Sequence, residues 1–328
     1  PVKKVTAFTV LSLGLSSILL GLSYHIAILF VALIGLRLCG QGLMSHISMT
    51  IISKYFDKNR GKALSISSLG YSMGEAIFPI IITSIIAFFD WRMAAIISGI
   101  ALLLYLIRLK FTNLIAFDHQ LSTEGKPSTW SLLKDYKSVV SDKRFGIMMP
   151  ASFILGFTNT AIFFYQYVFV EDKGWSPQLY ATFFTVYAIS RFIFSLVGGT
   201  WVDKFTAKKM FRIYLIPMTL GLIPFALMNS IIGALLFLIT AGITGGMAGT
   251  VKTSLIAEIY GTEKMGAIRS VFTMFMVIST ALGPLLVGFM IDGGFDFSTI
   301  ILVIFAAMLL ISLNSQRIKN ISKKASPL

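Results

Sequence analysis

Apolar residues run along this chain in ten long blocks, at about 5–22, 26–49, 62–88, 93–110, 145–170, 177–200, 210–228, 230–251, 266–291 and 297–313, with short polar stretches between them. A helix rises about 1.5 Å per residue, so about 20 apolar residues cross the hydrocarbon of a bilayer and each block predicts one spanning helix. The blocks are continuously apolar, unlike barrel strands, whose side chains alternate between lipid and lumen. Backbone groups find no water inside a bilayer, and a helix satisfies them internally. The predicted fold class is an all-α polytopic membrane protein. The first block runs into the second with no processing site between them, so no cleavable signal peptide is read.

Composition supports lipid as the medium: of 328 residues, 56% are hydrophobic and 13% charged, and the mean hydropathy is +0.83. Soluble domains carry about a quarter charged residues, so a water-soluble globule is excluded. A single Cys excludes a disulfide scaffold and a Cys-built metal site. The net charge of +14 comes from 28 basic residues against 14 acidic ones. The basic residues gather in alternate loops: Lys3 and Lys4, Lys54 to Lys62, Arg108 to Arg144, Lys204 to Arg212, Lys264 and Arg269, and Arg317 to Lys324. The remaining loops hold only Arg92 and Lys173, while Arg37, Arg191 and Lys252 fall inside spans. The positive-inside rule then places both termini in the cytoplasm of a cell's inner (plasma) membrane. The positive charge reports topology and attraction to anionic lipid, and needs no nucleic-acid partner. Trp91, Trp130, Trp175 and Trp201 lie at span boundaries or in the central loop, where amphipathic indoles belong.

The chain also repeats itself. Sliding it by 205 positions pairs Lys3 with Lys208, Gly40 with Gly245, Ile51 with Ile256, Tyr55 with Tyr260, Gly61 with Gly266 and Pro79 with Pro284, without a gap. Residues 5–110 thus repeat residues 210–315 as four spans, a parallel repeat of the kind found in transporter halves. The second half opens with two further spans, so roughly 60 residues with two spans are expected to precede Pro1. The expectation is ten visible helices of twelve, in two pseudo-symmetric six-helix bundles. Residues 1–110 form an N-terminal bundle truncated to four spans. Residues 111–143 form a cytoplasmic linker, and residues 144–328 a six-span bundle with a cytoplasmic tail. In the linker, Trp130, Leu133, Tyr136 and Val140 have the spacing of a short helix lying on the inner surface, or the segment is a simple tether.

No H-x-x-x-H, H-E-x-x-H, phosphate-binding Gly-rich loop or G-x-S-x-G elbow is present, so no catalytic residue, metal or cofactor is expected and the chain is read as no enzyme. Charges inside spans are costly, which makes function their default reading. Arg191 lies about fifteen residues into its span, near the midplane, with Tyr187 and Ser195 at i−4 and i+4. The preceding span offers Asn159, Tyr165 and Gln166 at comparable depth. A guanidinium grips a carboxylate through two parallel hydrogen bonds, so Arg191 is the candidate anion ligand, with pairing to a carboxylate across the bundle as the alternative. Glu75 either pairs with Arg37 on the adjacent span or carries a proton. Lys252 lies eight residues from Tyr260, about 12 Å along the helix, so snorkelling to the boundary and a site role both stand open. Gly70 and Gly74 permit close helix approach, and Pro79 and Pro284 would bend spans that must rock. Asp203 and Glu258 sit among basic residues at span ends, either as a salt-bridged inner gate or as solvated charges.

Two halves joined by a basic loop resemble the major facilitator superfamily. Gly199-Thr200-Trp201-Val202-Asp203-Lys204, followed by Lys208 and Lys209, is similar to that superfamily's G-x-x-x-D-[RK] loop, with Thr206 where the family usually has Gly. Arg37-x-x-Gly40-x-Gly42 resembles its fourth-helix R-x-x-x-G-x-G with one residue fewer. Tyr55-Phe56-Asp57-Lys58-Asn59-Arg60 with Ala63, Gly70 and Gly74 resembles the signature of monocarboxylate transporters, shared loosely with oxalate/formate antiporters. Arg191 also resembles the eighth-helix arginine of those transporters.

The resemblance implies a monomeric secondary transporter of small organic anions, monocarboxylates in the first place, working by alternating access with proton coupling or exchange. Arg191, Tyr187, Asn159, Tyr165, Gln166 and Arg37 would then bind substrate, Glu75 would carry the proton, and Gly199, Asp203, Lys204, Pro79 and Pro284 would gate. Proton-driven export of a neutral or cationic compound is the alternative within transport. A non-transporting regulatory or assembly subunit is the alternative of another class.

Overall fold

The computed structural model describes residues 2–56, 58–112, 136–261 and 265–320, without the side chains of residues 71, 72, 75, 76, 79, 80, 83, 177, 178, 319 and 320. These residues are almost wholly helical. The helices are α1 Val2–Gly21, α2 Ile26–Leu36, α3 Ser45–Tyr55, α4 Arg60–Phe88 and α5 Trp91–Phe111, then α6 Phe145–Phe164, α7 Gln166–Asp172, α8 Pro177–Phe205, α9 Ala207–Ile213, α10 Ile216–Leu227, α11 Ile232–Tyr260, α12 Met265–Asp292 and α13 Phe297–Ser315. A π-helix, Arg37–Met44, joins α2 to α3 in one rod over Ile26–Tyr55. Among the described residues, nine stretches are long and apolar enough to cross a membrane, and α4, at 29 residues, is a tenth long helix.

The repeat extends to the helix ends. Adding 205 to the ends of α1, the rod, α4 and α5 lands within one residue of the ends of Ala207–Leu227, α11, α12 and α13. The helices differ from the apolar blocks in instructive ways. Block 210–228 is two helices, α9 and α10, because Pro217 in the first turn of α10 has no N–H to continue the ladder. Block 145–170 breaks at Tyr165, between α6 and α7. At their basic ends α8 and α11 run on as helix to Phe205 and Tyr260, past the last apolar residues of their blocks. Of the linker, residues 113–135, with Trp130 and Leu133, lie outside the described residues. Residues 136–140 are helical, and the Tyr136 hydroxyl accepts a hydrogen bond from Ser270 at 3.1 Å.

The chain divides into two compact units: Pro1–Tyr55 with Gly74–Ser128, and Phe56–Met73 with Thr129–Leu328. The start of α4 therefore belongs to the second unit. In the first unit α1 packs on α5 and on the rod. A Cβ on Gly99 would fall 2.6 Å from the Gly14 carbonyl oxygen, so α1 and α5 meet backbone to backbone, and only glycine permits it. The Arg92 guanidinium donates to the Gly21 and Ser23 carbonyls and lies over the Tyr24 and Trp91 rings, closing that unit's end.

In the second unit α8 packs on α11, α6 on α12 and α13, and α10 on α11 and α13. Its core is aromatic and aliphatic: Phe211, Tyr214, Met218, Leu222, Phe225 and Phe237 are all buried, and the rings of Phe225 and Phe237 stack at 4.5 Å. Pro150, Pro224 and Pro284 lie inside its helices.

Candidate functional site

Helix α8 carries Arg191, and the packing of α8 on α11 fixes its backbone. Ser176 caps the helix and Pro177 follows in its first turn, where a missing N–H costs nothing. A Cβ on Gly246 of α11 would fall 2.5 Å from the Arg191 carbonyl oxygen, and the Ser190 hydroxyl donates to the Ile239 carbonyl at 2.8 Å. The two helices are therefore in direct backbone contact at this depth.

The half-buried Arg191 side chain runs past Gly245, its Cδ and Nε each 3.8 Å from where a Cβ would stand. Its Nη1 donates to the Tyr187 hydroxyl at 2.9 Å. The Tyr187 ring meets Phe163 of α6 at 5.3 Å and Phe184 at 6.0 Å, and Phe163 in turn reaches Phe237 of α11 at 6.4 Å. Aromatic rings thus bridge α6, α8 and α11, one helical turn from the cation. Asn159 is half-buried one turn from Phe163 on α6. Because α6 and α8 are consecutive crossings of opposite direction, Asn159 and Arg191 lie on the same side of the Phe163–Tyr187 contact.

The other residues read from sequence are placed differently. The Tyr165 hydroxyl stands 2.5 Å from where a Gly288 Cβ would be, so this side chain is turned to α12. The Gln166 Oε1 is buried and accepts no hydrogen bond from a described residue. Ser195, expected on the Arg191 face, shares a hydrogen bond with the Ser68 hydroxyl at 2.6 Å. Arg37 opens the π-helix of the first unit. The side chains of Glu75 and Pro79 lie outside the described residues. Among the described residues no group of His, Cys, Asp or Glu could hold a metal ion.

At the basic end of the second unit the start of α4 lies against α8. A Cβ on Gly61 would fall 2.6 Å from the Gly199 carbonyl oxygen. The Asp203 carboxylate accepts the backbone N–H groups of Gly61 and Lys62, each at 3.0 Å. One turn further along α4, Ser65 meets the Thr250 hydroxyl at 3.4 Å. Glu258 accepts the Ala207 N–H at 3.0 Å and so caps α9. Among the described residues neither acid forms the salt bridge that a gate of paired charges would need. Helix N-termini present unsatisfied N–H groups and a partial positive charge, and these carboxylates satisfy them. Thr206 makes its turn at φ 77°, a left-handed conformation costly for a β-branched residue, and its side chain caps α9. The turn expected of glycine is made without it. Lys204 lies over the Phe205 ring at 5.3 Å. Arg144 pairs with Asp142 and covers the Tyr260 ring at 4.7 Å; hydrogen bonding to that carboxylate holds the guanidinium further above its ordinary pKa.

Ten long helices, eight of them in a parallel repeat, define a polytopic helical membrane protein. The chain matches the family described as Major Facilitator Superfamily over residues 1–184 and again over 148–317, and it belongs to that family. It is 26% identical over 158 residues to the Multidrug resistance protein B homolog of Mycobacterium tuberculosis, a match covering 48% of this chain and 29% of that protein. The chain thus spans under a third of that relative's length. It is 25% identical over 301 residues to Multidrug resistance protein 2 of Bacillus subtilis, covering 88% of this chain and 73% of that one. Among solved structures, the E. coli fucose:proton symporter superposes with a TM-score of 0.72 at 17% identity, over 97% of this chain and 84% of that one. The human organic anion transporter MFSD10 superposes with a TM-score of 0.73 at 12% identity, over 96% and 77%. Both structures share the fold.

Proposed function

We propose that the chain forms the larger part of a secondary transporter for small organic anions, monocarboxylates among them. It would work as a monomer by alternating access with proton coupling or exchange, both termini in the cytoplasm. The observation that carries this reading is the guanidinium of Arg191, held by Tyr187 beside an aromatic cluster at mid-span. In lipid such a charge is costly to keep, and a carboxylate ligand turns the cost into binding. Asn159 supplies a further polar group on that side of the cluster, with Tyr165 and Gln166 as outer contributors. Glu75 would carry the proton. Asp203, Gly199 and Lys204 would latch the cytoplasmic end, and Pro79 and Pro284 would let their helices bend. Arg191→Lys keeps the charge and loses the two-pronged grip. In proteoliposomes it should weaken benzoate binding about ten-fold or more, or about 1.4 kcal/mol, while the protein stays folded. Undiminished benzoate binding by that variant would rule the assignment out.

A second reading, proton-driven export of a neutral or cationic compound, is favoured by the multidrug-resistance names of the relatives. Under it Glu75→Gln abolishes export of a lipophilic cation and Arg191→Lys leaves that export intact.

A further inference from the structure

Three rings close on one another beside Arg191. The Phe163 ring lies 5.6 Å from that of Phe184 and 5.3 Å from that of Tyr187, and the last two are 6.0 Å apart. Their planes are inclined by 55° to 66°, so ring edges meet ring faces, a favoured arrangement of aromatic pairs. Behind them Phe237 meets Phe163 at 6.4 Å and stacks on the buried Phe225, which fixes the group in place. Phe184, Tyr187 and Arg191 stand at i, i+3 and i+7 of α8, on one face of the helix.

The group is not wholly covered: Tyr187 is buried, but Phe163 and Phe184 are half-exposed, as is Arg191. Charge and open rings are therefore offered side by side. Tyr187 measures the distance between them, because its ring belongs to the group and its hydroxyl meets the Arg191 Nη1 at 2.9 Å. One six-membered ring and one oxygen thus span the gap from the rings to the guanidinium. A carboxylate carried directly on an aromatic ring has a closely similar length.

We propose that the anion taken by Arg191 is an arenecarboxylate, with its carboxylate on the guanidinium and its ring in edge-to-face contact with Phe163 and Phe184. The proposal rests on the organic-anion reading and adds to it the body of the anion. A short aliphatic carboxylate such as lactate reaches the same cation and leaves the rings untouched. Rings that served only to pack the helices would not tell an aromatic acid from an alicyclic one.

The test measures displacement of labelled benzoate from the full protein in phosphatidylcholine vesicles. Cyclohexanecarboxylate has the same charged group and nearly the same bulk, and lacks the quadrupole of an aromatic ring. Benzoate should displace about three- to ten-fold better than cyclohexanecarboxylate, the factor that one aromatic contact supplies. Phe184→Leu should bring the two acids to within about two-fold, chiefly by weakening benzoate, and Phe184→Tyr should keep the preference. Phe163→Leu serves the same purpose if Phe184→Leu does not fold. Equal displacement by the two acids in the wild type, both weakened by Arg191→Lys, overturns the arene proposal and leaves the organic-anion reading standing. So does saturable binding of lactate without binding of benzoate. A preference that the Leu variants leave unchanged overturns the proposal as well. Absence of binding of either anion, or benzoate binding that Arg191→Lys leaves intact, overturns the organic-anion reading and the proposal with it.

Discussion

The rod Ile26–Tyr55 and helix α11, Ile232–Tyr260, occupy the same place in the two copies of the repeat and end at matching residues. Yet 11% of the most apolar stretch of the rod is buried, against 56% of that of α11. The difference lies in neighbours. In the second unit α8 lies along α11 through Gly242 and Gly246, and α10 covers another side. Among the described residues of the first unit, the rod packs on α1, and the 205-residue offset maps α8 to positions outside this sequence. In lipid the association of helices rests on close packing, and small residues at the contact let α8 and α11 make it.

The sharpest way to break this comparison is a pair of substitutions at repeat-related positions. Gly246→Leu would wedge α8 from α11 and should cost on the order of 3 kcal/mol or more, whereas Gln41→Leu, its counterpart in the rod, should change stability by under about 0.5 kcal/mol. Thermal unfolding of the two variants in detergent decides. Equal losses would mean that the rod is packed as tightly as α11.

A smaller effect is expected at the starts of α4 and α12. A Cβ on Gly61 meets the Gly199 carbonyl and Asp203, while one on Gly266 meets nothing within 4 Å among the described residues. Gly61→Ala should then destabilise by about 1–3 kcal/mol, and Gly266→Ala should stabilise by up to about 1 kcal/mol. Matching shifts in melting temperature would remove the asymmetry.

The smallest effect concerns two N-caps. Asp90 accepts the Met93 N–H in the first unit, and Asp296 accepts both the N–H and the hydroxyl of Thr299 in the second. The hydrogen bond from the Thr299 hydroxyl, followed by that from its N–H, holds the Asp296 carboxyl below its ordinary pKa. Its contribution to stability is present above the ordinary carboxylate pKa and is lost as pH falls through the lowered one. Between about pH 5 and 2 the melting temperature of the wild type should fall slightly further than that of Asp296→Asn. Parallel curves would mean that the hydroxyl adds nothing.

The spans and the repeat were legible in the sequence because lipid imposes one requirement on every residue of a block, so composition alone marks the boundaries. Arg191 was legible for the same reason, as a charge in the middle of such a block. The backbone partners of Asp203 and Glu258 were not legible, because basic side chains are visible in a sequence and the open N–H groups of a helix start are not. The Ser68 partner of Ser195 was not legible, because a hydroxyl one turn from Arg191 has no mark to show what it bonds. The break at Tyr214 hides inside an apolar run whose only clue is Pro217. No residue pattern announced the π-helix.

That π-helix has a geometric consequence. An i→i+5 ladder turns the chain through less per residue than an α-helix, and over the eight residues Arg37–Met44 the lag amounts to roughly 0.4 of a turn. Helix α11 accumulates no such lag. Residues on α3 therefore point to a different compass bearing from their partners 205 positions on, although their sequence register is intact. The duplication has kept its ruler and lost its protractor: beyond Met44, a side-chain direction in one half no longer predicts its direction in the other.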